Sequence, residues 1–302
     1  MQLDKIQIDG ADEHFCRAIL AFAEEKYAVA IQEALLASAM APDDLLFSEA
    51  ANYLQRVAAA GKSQVYATPE GFTEFIRSGG NVKLYERTSQ LLSDCYSGYD
   101  QLRLLDIGVG DGRALLPALT KNIEQLDLLE PSATMLDCCK RALVGKKVSF
   151  NATCGTLQDY VAANEHGLWD IVQATFSLQS IQPDERQRLL GWISARCDRL
   201  LIAEFDVPEF ATLYEPKRLQ HIVSRYRNGL QEYAGDGGVV AQSFLLPVFF
   251  GYFDRSAART NYEQKIDNWC EQLQNAGFAS VTKRLIYPYW WADAYLIEAS
   301  HC

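Results

Sequence analysis

The sequence predicts an α/β fold: a seven-stranded, mostly parallel sheet with helices on both faces, preceded by a helical region and interrupted after the fifth strand. Three observations predict it. From residue 102 short apolar runs alternate with stretches of helical periodicity, the pattern of βαβ units whose right-handed crossovers build parallel sheets. Residues 1 to about 98 lack that alternation and read as helix after helix. One strand ends in "DIGVGDG" (106–112), where three glycines fall within five residues between a strand and a helix.

The elements follow in order. Residues 12–39 repeat apolar side chains at helical spacing with acids between them. "APDDLLFSEAANYLQRVAAAG" (41–61) opens with an Asp-Asp N-cap and stops at Gly61, and "TPEGFTEFIRSGGN" (68–81) gives a short helix ending at Gly79-Gly80. "LRLLDIGVG" (102–110), "IEQLDLLEP" (123–131), "KVSFNATCG" (147–155), "LWDIVQATFSL" (168–178) and "DRLLIAEFDVP" (198–208) are five strands, each followed by a helical pattern or, after the fifth, by a break. That break, 208–261, is long for such a link, and segments of this kind are usually functional. A helix over 261–278 closed by Gly277 and two strands at 279–287 and 292–299 complete the sheet. A division at residue 98 is expected: 1–98 as a helical lid and substrate-binding region, 99–302 as the sheet domain with its insertion.

Composition narrows the function. A net charge of −11 with scattered basic residues argues against a nucleic acid partner, because phosphate contacts need clustered Lys and Arg. No run approaches the roughly 18 apolar residues of a membrane span, so no membrane role is expected. The polar, acidic stretch "MQLDKIQIDGADEH" is unlike a secretory signal, and a cytoplasmic setting is expected. The eight cysteines form no C-x-x-C pair and no Cys/His zinc spacing, so no metal is expected.

The glycine turn carries chemistry. Gly108 and Gly110 let the backbone turn tightly and admit a ligand against it. A dinucleotide fingerprint needs its third small residue one step later, and Asp111 inside the turn would repel a pyrophosphate while suiting an ammonium or sulfonium. Eighteen residues past Gly112, Glu130 ends the second strand, where a carboxylate can accept ribose hydroxyls.

Together "LLDIGVGDG", "LDLLEPSATML", "CGTLQDY" and "LWDIVQATFSLQSI" resemble the motifs of class I S-adenosylmethionine-dependent methyltransferases, in order and spacing from about 102 to 206. The resemblance implies S-adenosylmethionine as cofactor and S-adenosylhomocysteine as product. It implies that Asp106 orients the turn, Gly108 and Gly110 pass under the methionine part, and Glu130 holds the ribose. Thr156 and Leu157 would lie by the adenine, Gln173 and Ala174 at the methionine end, and Pro131 is a further cofactor-binding candidate. Tyr85 and Arg87, just before the first strand, would reach the cofactor's carboxylate. Many small-molecule members carry a histidine near the position of Gln179, which this chain lacks.

The acceptor side follows from the same likeness. "QATFSL" replaces the Asn/Asp-Pro-Pro-aromatic stretch of base and glutamine methylating members. A small-molecule or peptide-like acceptor methylated on oxygen or nitrogen, in specialised metabolism, is the expectation. C-methylation beside a ketone and a non-catalytic partner protein are the alternatives. Glu204 and Asp206, at the tip of the fifth strand, are the candidate bases, each equally readable as a capping or salt-bridged acid. Phe176, Gln179 and His221 are candidate acceptor residues. The family's antiparallel seventh strand would place Tyr287, Tyr289, Trp290 and Trp291 at the cofactor edge, as a wall for a flat or cationic group, with hydrophobic core as the other reading.

Overall fold

The computed structural model describes residues 10–61, 69–146, 148–164, 166–256 and 258–301. The chain forms two compact units, 1–82 with 210–258 and 83–209 with 259–302. The first is helical: α1 (Ala11–Ala23), α2 (Tyr27–Met40), α3 (Leu45–Ala60), α4 (Pro69–Arg77), the start of α5 (Gly80–Tyr96), α10 (Pro216–Glu232), a π-helical turn (Ala241–Leu245) and α11 (Leu246–Gly251). The unbroken periodicity of 12–39 is in fact two helices, turned at Glu25 with φ 58°. Asp44 caps α3 by accepting the Leu46 N–H at 3.0 Å, and Gly61 closes it, both as the sequence indicates.

The inserted segment and the N-terminal helices make one body. Phe249 and Phe250 of α11 enter an aromatic core with Phe15, Phe22, Phe47 and Tyr53, with Tyr53 stacked on Phe250 at 5.0 Å. Arg227 of α10 joins Asp12 and, at 2.6 Å, Asp44, and lies over the Phe47 ring. The boundary between the two units falls inside α5, whereas residue 98 was expected, and the N-terminal helices and the inserted segment share one core.

The second unit holds β1 (Leu102–Ile107), β2 (Ile123–Glu130), β3 (Phe150–Cys154), β4 (Trp169–Thr175), β5 (Cys197–Phe205), β6 (Ser280–Pro288) and β7 (Asp293–Ser300). The strand order is β3-β2-β1-β4-β5-β7-β6. β1 to β5 are parallel, and β7 runs antiparallel to both β5 and β6. The central strands carry apolar runs that face both ways because both faces are covered: Leu104, Leu105, Ile171, Val172, Leu200, Leu201 and Ile202 have no exposed surface.

Strand alternation sorts the side chains between two faces. On one, Leu105, Val172, Leu200 and Ile202 meet α8 (Leu157–Ala163), α9 (Pro183–Ser194) and α12 (Ile266–Asn275) through Tyr160, Leu189 and Trp269. On the other, Tyr96 of α5 reaches Gln173 of β4, and Cys139 of α7 (Ala133–Leu143) comes up against Gly112. The helix expected after the glycine turn is a single turn, α6 (Leu115–Ala118).

Candidate functional site

The glycine turn leaves β1 with Gly108, Gly110 and Gly112 at φ 72°, 57° and 83°, the left-handed region that favours glycine. The three are not equivalent. A Cβ on Gly108 would stand 2.4 Å from Ser177 Cβ, and one on Gly112 2.8 Å from Cys139 Sγ, so both serve close packing. A Cβ on Gly110 would meet nothing nearer than Met135 Cε at 3.8 Å. Gly110 is thus the glycine of the three with open space beside its Cα.

Glu130 pins that opening. One carboxylate oxygen accepts the Gly110 N–H and the other the Ser132 N–H, each at 2.9 Å. Each oxygen keeps a second lone-pair direction for a further donor. One strand over, Asp106 is buried and accepts from Gln173 Nε2 at 2.6 Å, while its other oxygen has no hydrogen-bond partner among the described residues. Burial, against the Gln173 bond and helped by nearby Glu130, pushes its carboxyl up to about 7. Tyr96 donates to the amide oxygen of Gln173, completing a buried Tyr–Gln–Asp chain. Gln173 and Ala174 have no exposed surface. The methionine-end contact expected of them is therefore corrected: Gln173 orients Asp106, and Ala174 belongs to the core on the opposite face.

A cation does stand beside Tyr85, but it is Arg113 and not Arg87. Arg87 is exposed and lies two positions from Tyr85 on α5, a spacing that points side chains apart. Tyr85 instead has Arg113 over its ring at 5.8 Å, and Arg113 pairs with Asp111 at 2.9 Å. Asp111, expected to face a cationic cofactor, thus already holds an arginine. "GDGR" was a visible signal, but nothing in it shows that Arg113 folds back on the turn. At the adenine-side positions, Thr156 caps α8 by accepting the Asp159 N–H at 3.2 Å. Pro131 is exposed, and Leu157 is in the core.

Beyond the turn the aromatic side chains join into one run. Tyr85 meets Phe176 edge-on (6.0 Å, 78°), Phe176 stacks on Phe205 (4.8 Å, 23°), and Phe205 on Tyr289 (5.6 Å, 27°). Tyr289 continues to Trp290 (5.4 Å) and Trp290 to Trp291 (6.1 Å). Tyr287 pairs with Ala294 in β6, ahead of the hairpin. Phe205 was not anticipated, although strand alternation from the buried Ala203 would have found it. Phe176 has φ 53°, an outlier for an aromatic residue that costs on the order of 1–3 kcal/mol. It is held by its N–H to Ala203 O at 2.8 Å and by Ser177, whose hydroxyl donates to Ile107 O at 2.8 Å beside Gly108.

The two candidate bases both accept backbone N–H groups. Glu204 is buried on the α9/α12 face, opposite to Phe205, and accepts the Gln179 N–H at 3.2 Å. Burial, partly offset by that bond, lifts its carboxyl to about 8, with Glu263 raising it and Arg186 lowering it. Gln179 also bonds the Phe176 carbonyl through its amide at 3.3 Å, so it braces the loop under the run. Asp206 accepts the Ile266 N–H at 2.8 Å and so caps α12. Glu263, unmarked in the sequence, accepts from Trp291 Nε1 at 2.7 Å. His221 lies in the helical unit with its ring 5.6 Å from Phe210, and burial lowers its pKa ahead of nearby Arg225 and Arg218.

No protein-family model matches the chain, and no curated protein does. Solved structures do. The S-adenosylmethionine-dependent methyltransferase SibL is 15% identical, covering 93% of this chain and 76% of its own, with a TM-score of 0.50. The mitomycin 7-O-methyltransferase MmcR is 14% identical over 95% of this chain and 73% of its own, TM-score 0.47. Magnesium protoporphyrin IX methyltransferase from Synechocystis PCC 6803, with bound S-adenosylhomocysteine, is 16% identical over 74% and 85%, TM-score 0.47. The likeness to SibL is one of fold, over the seven-stranded sheet described above.

Proposed function

On the fold it shares with SibL, we propose that this chain is an S-adenosylmethionine-dependent methyltransferase acting on an oxygen or nitrogen of a small-molecule or peptide-like metabolite. The observation that carries the reading is the open turn at Gly110 with Glu130 fixed beneath it by two backbone N–H groups. These residues fit the cofactor. Glu130 keeps lone pairs for the two ribose hydroxyls, Gly110 leaves room for the chain above it, and Arg113 offers a cation for a carboxylate. When bound, the cofactor supplies a methyl group already activated on a sulfonium. The protein then has to hold the acceptor in line, which is positioning more than covalent work.

The same geometry weighs on the alternatives. C-methylation of an acidic carbon needs a base at the reacting atom, and the two acids offered for it are committed to Gln179 and to the cap of α12. The open glycine turn speaks against a partner protein that has lost its cofactor.

Calorimetric titration with S-adenosylhomocysteine tests the proposal. The wild-type chain is expected to bind in the micromolar range. Glu130→Ala and Arg113→Ala should each weaken binding about tenfold or more, in line with the loss of a charged hydrogen-bond partner, while Arg87→Ala should leave it unchanged. No binding at millimolar concentration would sink the enzyme reading.

A further inference from the structure

The face of β2 opposite Glu130 carries an acid that the glycine turn does not use. Asp127 precedes Glu130 by three residues, which places it roughly 10 Å back along the strand and on the other side. Beside it a cavity of about 290 Å³ opens between β2, β3, α8 and the start of β4. That is close to the lower end, about 300 Å³, of the range for small-molecule sites.

Asp127 is only 8% exposed. Its carboxylate accepts from Asn151 Nδ2 at 2.8 Å, from Gln125 Nε2 at 2.7 Å and from Trp169 Nε1 at 2.7 Å. All three donors are neutral, and no Lys, Arg or His among the described residues pairs with it. Acids so deeply buried are normally matched by a cation. The described part of this chain supplies none, yet the acid stands in a cavity wall.

The neighbouring groups define what that wall can take. A carboxylate only accepts hydrogen bonds, so Gln125 and Asn151 must turn their NH2 ends to Asp127 and their carbonyl oxygens away from it. Neither oxygen has a partner among the described residues. The same holds for the side-chain oxygen of Asn164, whose NH2 is held by Tyr160 O at 2.9 Å. Tyr160 lines the cavity at 7% exposure, and its hydroxyl has no partner among the described residues. Burial, and after it Asp127, push this phenol up to about 12, so it keeps its proton beside the carboxylate.

The wall is thus one carboxylate set among neutral acceptors. An alkylammonium head has three N–H donors and no acceptor, which matches a carboxylate and two amide oxygens. An alcohol brings one donor for several acceptors, and an anion meets only repulsion. The net charge of −11 favours the approach of a cation. A divalent metal is poorly served, because no group of three or more His, Cys, Asp or Glu gathers among the described residues.

We propose that this cavity binds the ammonium head of a small primary amine, with Asp127 as counter-ion and the Gln125 and Asn151 amides as orienting acceptors. The site is separate from the glycine turn and does not depend on the methyltransferase reading.

Ligand-observed NMR titration of the full-length chain with n-butylamine, n-butanol and butyrate at neutral pH tests this, with and without saturating S-adenosylhomocysteine. The amine is expected to saturate one site about tenfold or more tighter than the alcohol, with butyrate unbound. Asp127→Asn removes the charge and should weaken the amine about tenfold or more. Asn151→Ala, on the exposed edge strand β3, and Tyr160→Phe should each stay folded by thermal melting and weaken it about threefold. These two decide the matter if Asp127→Asn fails to fold. Equal binding of amine and alcohol, or unchanged amine affinity in the folded variants, overturns the proposal. Displacement of the amine by an equal concentration of potassium chloride would mark a site for inorganic cations and overturn it too. S-adenosylhomocysteine should leave amine affinity unchanged. Competition between the two would put the cavity inside the cofactor site, whereas failure of S-adenosylhomocysteine to bind would count against the methyltransferase reading alone.

Discussion

Three carboxylates near the glycine turn differ only in what surrounds them. Glu130 is satisfied by two backbone N–H groups, Asp111 by Arg113, and Asp106 by Gln173 on one side only, in a buried place. Asp106 therefore keeps its proton up to about 7, against an ordinary 3.8. A folded-state pKa raised in this way gives stability that is fully present below 3.8 and lost as pH rises through about 7. Glu204 acts alike between 4.5 and about 8. Resistance to urea is expected to fall between about pH 5 and about pH 8, by at most about 1.4 kcal/mol per pH unit for each group. Asp106→Asn keeps an acceptor for Gln173 and should flatten that fall; an unchanged slope would show that Asp106 ionises normally. Residue types at strand ends were legible in the sequence. Which carboxylate would be left half-satisfied was not, because that depends on Gln173 and Tyr96 arriving from other elements.

Among the elements, α2 shows how periodicity can mislead about sides. Ala30, Ala34 and Ala37 have no exposed surface, whereas Val29, Leu35, Leu36 and Met40 are 40–55% exposed. Small residues let α2 lie close against its neighbours, and the larger ones face away. Ala34→Leu is thus expected to cost about 1–3 kcal/mol by overpacking, while Leu35→Gln should stay within about 0.5 kcal/mol. Chemical denaturation compares them, and the reverse order would mean that α2 is turned the other way. The closing hairpin was read well: its strands lie one residue from the expected 279–287 and 292–299. Its Trp and Tyr rings continue a run begun on α5 and at the ends of β4 and β5, which no local pattern could reveal. Of that hairpin's rings, Tyr289 and Trp291 are buried and Trp290 is half-exposed.

For the whole molecule, the α/β alternation and the glycine turn were enough to foresee the sheet, because strand period and crossover length are local properties. The assembly of 210–258 with the N-terminal helices was not, since Arg227 meets Asp12 and Asp44 across some two hundred residues of chain. Arg186 is a second long-range tie: it looks like a surface residue of "PDERQRLLG", yet it is fully buried 3.9 Å over Trp269. It donates to the carbonyls of Leu178, Ile181 and Tyr262, holding the loop after β4 to the segment before α12. Amide hydrogen exchange with saturating S-adenosylhomocysteine tests the central claim most directly. Slowed exchange is expected at residues 107–113 and 130–133, around the glycine turn and the Glu130 strand end. Unchanged exchange there, with protection absent or confined to other parts of the sheet unit, would contradict a cofactor site at this turn.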